Sequence, residues 1–168
     1  GQRGEGDAGP VSDATITDAT IDEVAAAIDA HAGGYILATH ENPDGDAIGS
    51  LLAVARGLRA QGRDVVMWHP QVPAVPQDLE FLLAEGESFT AELPPDAADR
   101  LLIALDCASE RRLTGGPAAA ALAGSIVNID HHHDNGRFGD VNHVDADASS
   151  TAEIVVTLFE RTEWTLYA

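Results

Sequence analysis

Basic residues are scarce in this sequence. Lys and Arg number 9 against 28 Asp and Glu, a formal net charge of −19. A chain so charged has no broad positive surface for duplex nucleic acid or anionic lipid. Cysteine is nearly absent: the single Cys107 excludes an internal disulfide and a cysteine-only metal site. No apolar run reaches the roughly eighteen residues of a membrane-spanning helix. The first residues, 1–14, lack a charged start followed by an apolar stretch, so they do not read as a secretory leader. No Asn-x-Ser/Thr acceptor occurs either, and the expectation is a cytoplasmic protein that does not bind membranes. Aromatic residues make up only 5%, so alanine, valine and leucine must fill the core.

What remains is globular in composition, with 45% hydrophobic and 22% charged residues over a length of 168, suited to one domain. Residues 1–18 are small, polar and glycine-rich, and are expected to form a flexible tail ahead of a domain over 19–168. Gly4, Gly6 and Gly9 spell a dinucleotide-binding pattern, but no strand precedes it and Pro10 follows, so that reading is rejected. Order begins at Thr20 and Glu23, spaced as a capping box before a helix that Gly33 and Gly34 end. Short apolar runs at 35–39, 64–68, 100–105 and 125–129 predict four buried strands. Helical patterns fall at about 46–62, 79–84, 117–123 and 151–161. Strands that are continuously apolar and alternate with helices define a doubly wound α/β fold: a mainly parallel sheet with helices on both faces.

Ligands of such sheets bind beyond the carboxyl ends of the strands. The first predicted strand runs out into His40, Asp44 and Asp46, the third into Asp106, and the fourth into Asp130, His131 and His132. Carboxylates gathered without a cation repel and cost stability, and a divalent metal removes that cost. Carboxylates alone suit Mg²⁺ or Ca²⁺, while added imidazole moves the site toward Mn²⁺, Fe²⁺ or Zn²⁺. Asp44 and Asp46 flank Gly45 in a turn that can aim them at neighbouring ions, with Asp106 between. Each residue alone has a plainer reading: Asp46 as a helix N-cap, Asp44 as a turn residue, His40 as a buried histidine. None of these explains why all fall at strand ends of one parity. Cys107 reads as a small buried residue rather than a nucleophile. The stretch from Asp145 lacks the Gly and Glu of a calcium loop. Ser150 and Thr151 precede the last helix, where they can cap it or meet a phosphate.

The order His40-x-x-Pro43-Asp44-x-Asp46-x-x-Gly49-Ser50, Asp106, Asp130-His131-His132 and Ser150-Thr151 resembles the DHH phosphoesterase family, over about 20–161. The likeness is closest to its short bacterial nanoRNase, oligoribonuclease and adenosine-bisphosphate phosphatase members, some of which cleave cyclic di-AMP. The resemblance implies two Mn²⁺ ions, with Mg²⁺ or Co²⁺ as substitutes. It implies His40 and Asp44 on one ion, Asp46 and His131 on the other, and Asp106 bridging. Asp106 and His132 become the expected catalytic residues, with His132 near the phosphate and Asp130 steadying an imidazole from behind. The implied substrates are short RNA, 3'-phosphoadenosine 5'-phosphate or a cyclic dinucleotide, with a homodimer as the full-length form and no role for duplex DNA. The family's later Asp-Thr-Gly motif and C-terminal substrate domain find no counterpart here, as no Asp follows Asp147. The expectation is therefore an N-terminal fragment or natural truncation, weak or inactive alone. The alternative is a non-catalytic metal- or nucleotide-binding module, or an inactive remnant.

Overall fold

The computed structural model describes residues 17–113 and 123–166. Helix α1, Ile21–Ala30, starts at the expected capping box: Thr20 Oγ1 accepts from Glu23 N at 3.2 Å and Glu23 Oε2 accepts from Thr20 N at 2.7 Å. Val24, Ala25 and Ile28 form its buried stripe. The chain then enters β1, Tyr35–Ala38, buried at every position. Tyr35 is fully buried, and its hydroxyl donates to Ile28 O at 2.8 Å, tying strand to helix. Helix α2, Gly45–Ala60, leads to β2, Val65–Met67. A long connection carries 3₁₀ turns at Gln77–Leu82 and Ala97–Asp99 before β3, Leu101–Leu105. Strands β4, Ser125–Asp130, and β5, Val141–Val144, follow, and helix α3, Thr151–Arg161, comes last.

The five strands form one parallel sheet in the order β2-β1-β3-β4-β5. The chain moves outward from β1 to β2, then returns to the other side of β1 and continues through β3, β4 and β5. The switch point thus lies between β1 and β3, where open α/β sheets form their binding crevice. Alternation along the strands divides the core in two. Tyr35, Leu37, Leu101, Ile103 and Leu105 join the cluster packed under α1, α2 and α3. Ile36, Ala38, Leu102 and Ala104 join a smaller cluster with Trp68, Cys107 and Leu113 on the opposite face.

Among the described residues, α1, α2 and α3 pack on one face of the sheet, and the Ala97–Asp99 turn and loops cover the other. Several elements differ from expectation in detail. The helix expected at 117–123 lies, apart from Ala123, outside the described residues. Strand β5 was not anticipated, and the short helix expected at 79–84 is a 3₁₀ helix over Gln77–Leu82, two residues earlier. Helix α2 begins one residue earlier than expected, and its N-cap is Asp44, whose Oδ1 accepts from Ala47 N at 3.0 Å. Asp46 therefore lies inside the first turn instead of capping it.

Candidate metal centre

The three central strands, β1, β3 and β4, end side by side, and the polar residues that follow them meet at one edge of the sheet. After β1, the chain places His40, 7% exposed, with its Nδ1 on Glu41 O at 2.7 Å. That contact leaves Nε2 to face Asp106 Oδ2 at 3.6 Å. Asn42 then adopts φ +52°, a left-handed turn that asparagine tolerates, and the chain reaches Asp44 at the head of α2. His40, Asp44 and Asp106 each offer a donor atom within 4.8 Å of the others, a spacing that one metal ion can bridge.

Asp106 is the hinge of the site. It follows β3 with φ +55°, and its N donates to Ile129 O at 3.0 Å, which pins the backbone to β4. The residue is 2% exposed. Its two oxygens face different partners: Oδ2 faces His40, while Oδ1 lies 3.6 Å from His131 Nε2 and 3.8 Å from His132 Nδ1. Asp106, His131 and His132 make a second group of donors within 4.8 Å. Burial pushes the Asp106 carboxyl up, but His40, the Thr151 hydroxyl and the charge of His132 outweigh it and hold it below its ordinary value. His40 is raised in turn, first by the Asp106 carboxylate, with burial opposing. A buried carboxylate set against three imidazoles is a donor set suited to a divalent ion of the manganese-to-zinc series.

Behind these groups lies a second layer of hydrogen bonds. His132 Nδ1 contacts Asp130 Oδ1 at 2.7 Å, and Asp130 Oδ2 accepts from Asn135 Nδ2 at 2.6 Å. Asn135 also donates to Asn128 Oδ1 at 2.8 Å. Asp46 sits 3.7 Å from His131 Nε2 through Oδ2. Both of its oxygens also accept from the start of α3: Thr151 N at 2.9 Å and Ala152 N at 2.8 Å. The Asp46 carboxylate thus lies at the positive end of that helix as well as beside the imidazole.

His40, Asp44, Asp46, Asp106, Asp130, His131 and His132 are therefore gathered at one site. Ser150 is the N-cap of α3, accepting from Glu153 N at 3.2 Å. Thr151 turns inward, and its Oγ1 donates to Asp106 Oδ1 at 2.9 Å. Cys107 is fully buried, its Sγ donates to Ser109 O, and burial raises its thiol to about 12, which leaves no nucleophile there. Asp145 forms a local turn by accepting from Asp147 N at 3.0 Å. Asn128, Asn135 and the inward turn of Thr151 were missed from sequence, because nothing in their spacing tells a buried partner from a surface polar residue.

By class this is an open parallel α/β domain that gathers carboxylates and imidazoles at its switch point, where they could hold a metal ion. More particularly, residues 35–167 match the DHH family, N-terminal domain, and the chain belongs to that family. It is 40% identical over 146 residues to the bifunctional oligoribonuclease and PAP phosphatase NrnA of Thermus thermophilus, covering 84% of this chain and 42% of that protein. The protein of the same name from Bacillus subtilis is 29% identical over 126 residues, covering 74% of this chain and 37% of its own. Among solved structures, an exopolyphosphatase-related protein from Bacteroides fragilis superposes with a TM-score of 0.70 at 27% identity, covering 84% of this chain and 43% of that one. The chain spans about two-fifths of the length of the curated relatives it matches.

Proposed function

We propose that this chain carries the dinuclear centre of a manganese-dependent phosphoester hydrolase that acts on short oligoribonucleotides or on 3'-phosphoadenosine 5'-phosphate. The observation that carries the reading is the pair of ligand groups sharing Asp106, with one oxygen turned to each. His40 and Asp44 would hold one ion, His131 and Asp46 the other, and Asp106 would bridge. The substrate class is taken from the oligoribonuclease and PAP phosphatase relatives, whose names state it for those proteins.

Bound there, two divalent ions would supply a hydroxide at neutral pH and neutralise charge on the phosphoryl oxygens. The residues do the rest. Asp130 Oδ1 accepts a hydrogen bond from the Nδ1–H of His132, so a neutral ring carries its lone pair on Nε2 and a protonated ring offers N–H there to a phosphoryl or leaving oxygen. Thr151 and the first amides of α3 hold Asp106 and Asp46 in place. The net charge of −19 supplies no attraction for the anionic substrate, so phosphate contact falls to the metal centre in this part of the protein.

The test is hydrolysis of diadenylate and of 3'-phosphoadenosine 5'-phosphate by the full-length protein with MnCl₂, followed by nucleotide chromatography. Product release that needs manganese and falls at least about a hundredfold in Asp106→Ala is expected, since the variant removes the shared ligand. Hydrolysis that survives Asp106→Ala refutes the mechanism. Manganese uptake without any turnover favours the reading of a binding module.

A further inference from the structure

We propose that Thr151 is a positioning residue for the metal centre: its buried hydroxyl fixes the rotation of the Asp106 carboxylate, so that the two oxygens serve two different ions. The inference rests on the metal reading above and assigns a role to a residue expected only to cap a helix or touch phosphate.

The argument begins with the freedom of an aspartate. Its terminal torsion is broad and nearly two-fold, so a bridging carboxylate needs something outside itself to hold its plane. At Asp106 the backbone is pinned by the bond from its N to Ile129 O, but that bond leaves the side-chain torsion free. The three imidazoles around it stand at 3.6 to 3.8 Å, beyond hydrogen-bonding distance. The Thr151 hydroxyl, at 2.9 Å from Oδ1, is a hydrogen bond and does hold it. A carboxylate oxygen has two acceptor directions, so Oδ1 can accept from Thr151 and still offer a lone pair on the His131 side. Oδ2 is left for the His40 side.

The capping role belongs to another residue. Ser150 is the N-cap and its Oγ takes Glu153 N. Thr151 is 0% exposed, one position further on, and its hydroxyl serves a residue 45 positions away in sequence. Its amide and that of Ala152 grip Asp46. The first turn of α3 thus holds one carboxylate expected on a single ion and the one expected to bridge. A displacement at Thr151 would disturb both.

The experiment compares the wild-type chain with Thr151→Val, which matches the shape but lacks the hydroxyl, and with Thr151→Ser, which keeps the hydroxyl. Manganese chloride is titrated by calorimetry, and electron paramagnetic resonance reads whether two Mn²⁺ ions are exchange-coupled. Wild type is expected to take up two ions with a coupled spectrum. Thr151→Val is expected to bind the second ion about 10–100-fold more weakly and to lose the coupled signal, as when partners behind metal ligands are removed. Thr151→Ser is expected to restore both. A valine variant that titrates like wild type overturns the proposal. So does a serine variant as weak as valine, since the loss would then follow the methyl group. Circular dichroism with EDTA checks the fold, and Thr151→Ala replaces valine if valine unfolds. A wild-type chain that takes up no manganese overturns the metal reading itself, a result distinct from a failure of Thr151 alone.

Discussion

Asp130 is fully buried at the end of β4, and a buried carboxylate is tolerated only when its oxygens are partnered. One oxygen is met by His132 Nδ1 and the other by Asn135 Nδ2. Asn135 also joins the buried Asn128, which itself donates to Cys107 O at 3.1 Å. Replacing Asn135 by Ala strips donors from both Asp130 and Asn128. The expected loss of stability is about 1–3 kcal/mol, read from urea unfolding, because two buried acceptors are left without a partner. An unchanged midpoint would mean that water fills the gap at no cost. The acid and imidazole members of this cluster were legible in sequence, since each follows an apolar strand of the same parity. Asn135 was not. An amide has the same chemistry on a surface turn as in a buried network, and only the tertiary fold puts it against Asp130.

At the scale of elements, the strands and helices that bury a continuous apolar run or a capped stripe were readable, and the exceptions have physical causes. Strand β5 carries Asn142 and His143 between two valines and sits at the sheet edge, so it never reads as an apolar run. The start of α2 was misjudged because Asp44 and Asp46 are equally good caps by type. The fold spends Asp46 on another helix. Helices α2 and α3 approach closely at Gly57, where an added Cβ would stand 2.7 Å from Phe159 Cζ. Gly57→Ala gains helix propensity of about 1 kcal/mol but must displace that ring. Overpacking of this kind costs about 1–3 kcal/mol, so a small net loss in thermal stability is expected by calorimetry. A second tie joins α2 to the connection after β2. Arg56 Nε and Nη2 donate to the two Glu87 oxygens at 2.9 and 2.6 Å. Arg56 holds the Glu87 carboxyl below its ordinary value of 4.5, with burial opposing. A depressed carboxyl contributes stability that is present above that value and is lost as pH falls through the folded one. Glu87→Gln should therefore cost about 1 kcal/mol at neutral pH. The difference from wild type should shrink as pH drops below 4.5, as urea midpoints across pH would show.

For the whole molecule, the charge of −19 and the gathered carboxylates make one argument. An anionic chain repels itself, and any added cation relieves part of that strain by screening. A rise in melting temperature with Mn²⁺ is therefore not by itself evidence of a site. Mg²⁺ at equal concentration supplies the same charge and the same ionic strength, and differs in its weaker preference for imidazole. The informative quantity is the excess of the manganese shift over the magnesium shift. An ion that binds only the folded chain adds about 2.7 kcal/mol at a hundred times its dissociation constant. For a domain of this length that corresponds to a shift of about 5–10 °C. The excess is expected in the wild-type chain and should vanish in Asp106→Asn, which keeps the shape of the shared ligand but removes its charge. An excess that persists in Asp106→Asn would assign the stabilisation to the acidic surface at large and not to the cluster of His40, Asp44, Asp46, Asp106 and His131.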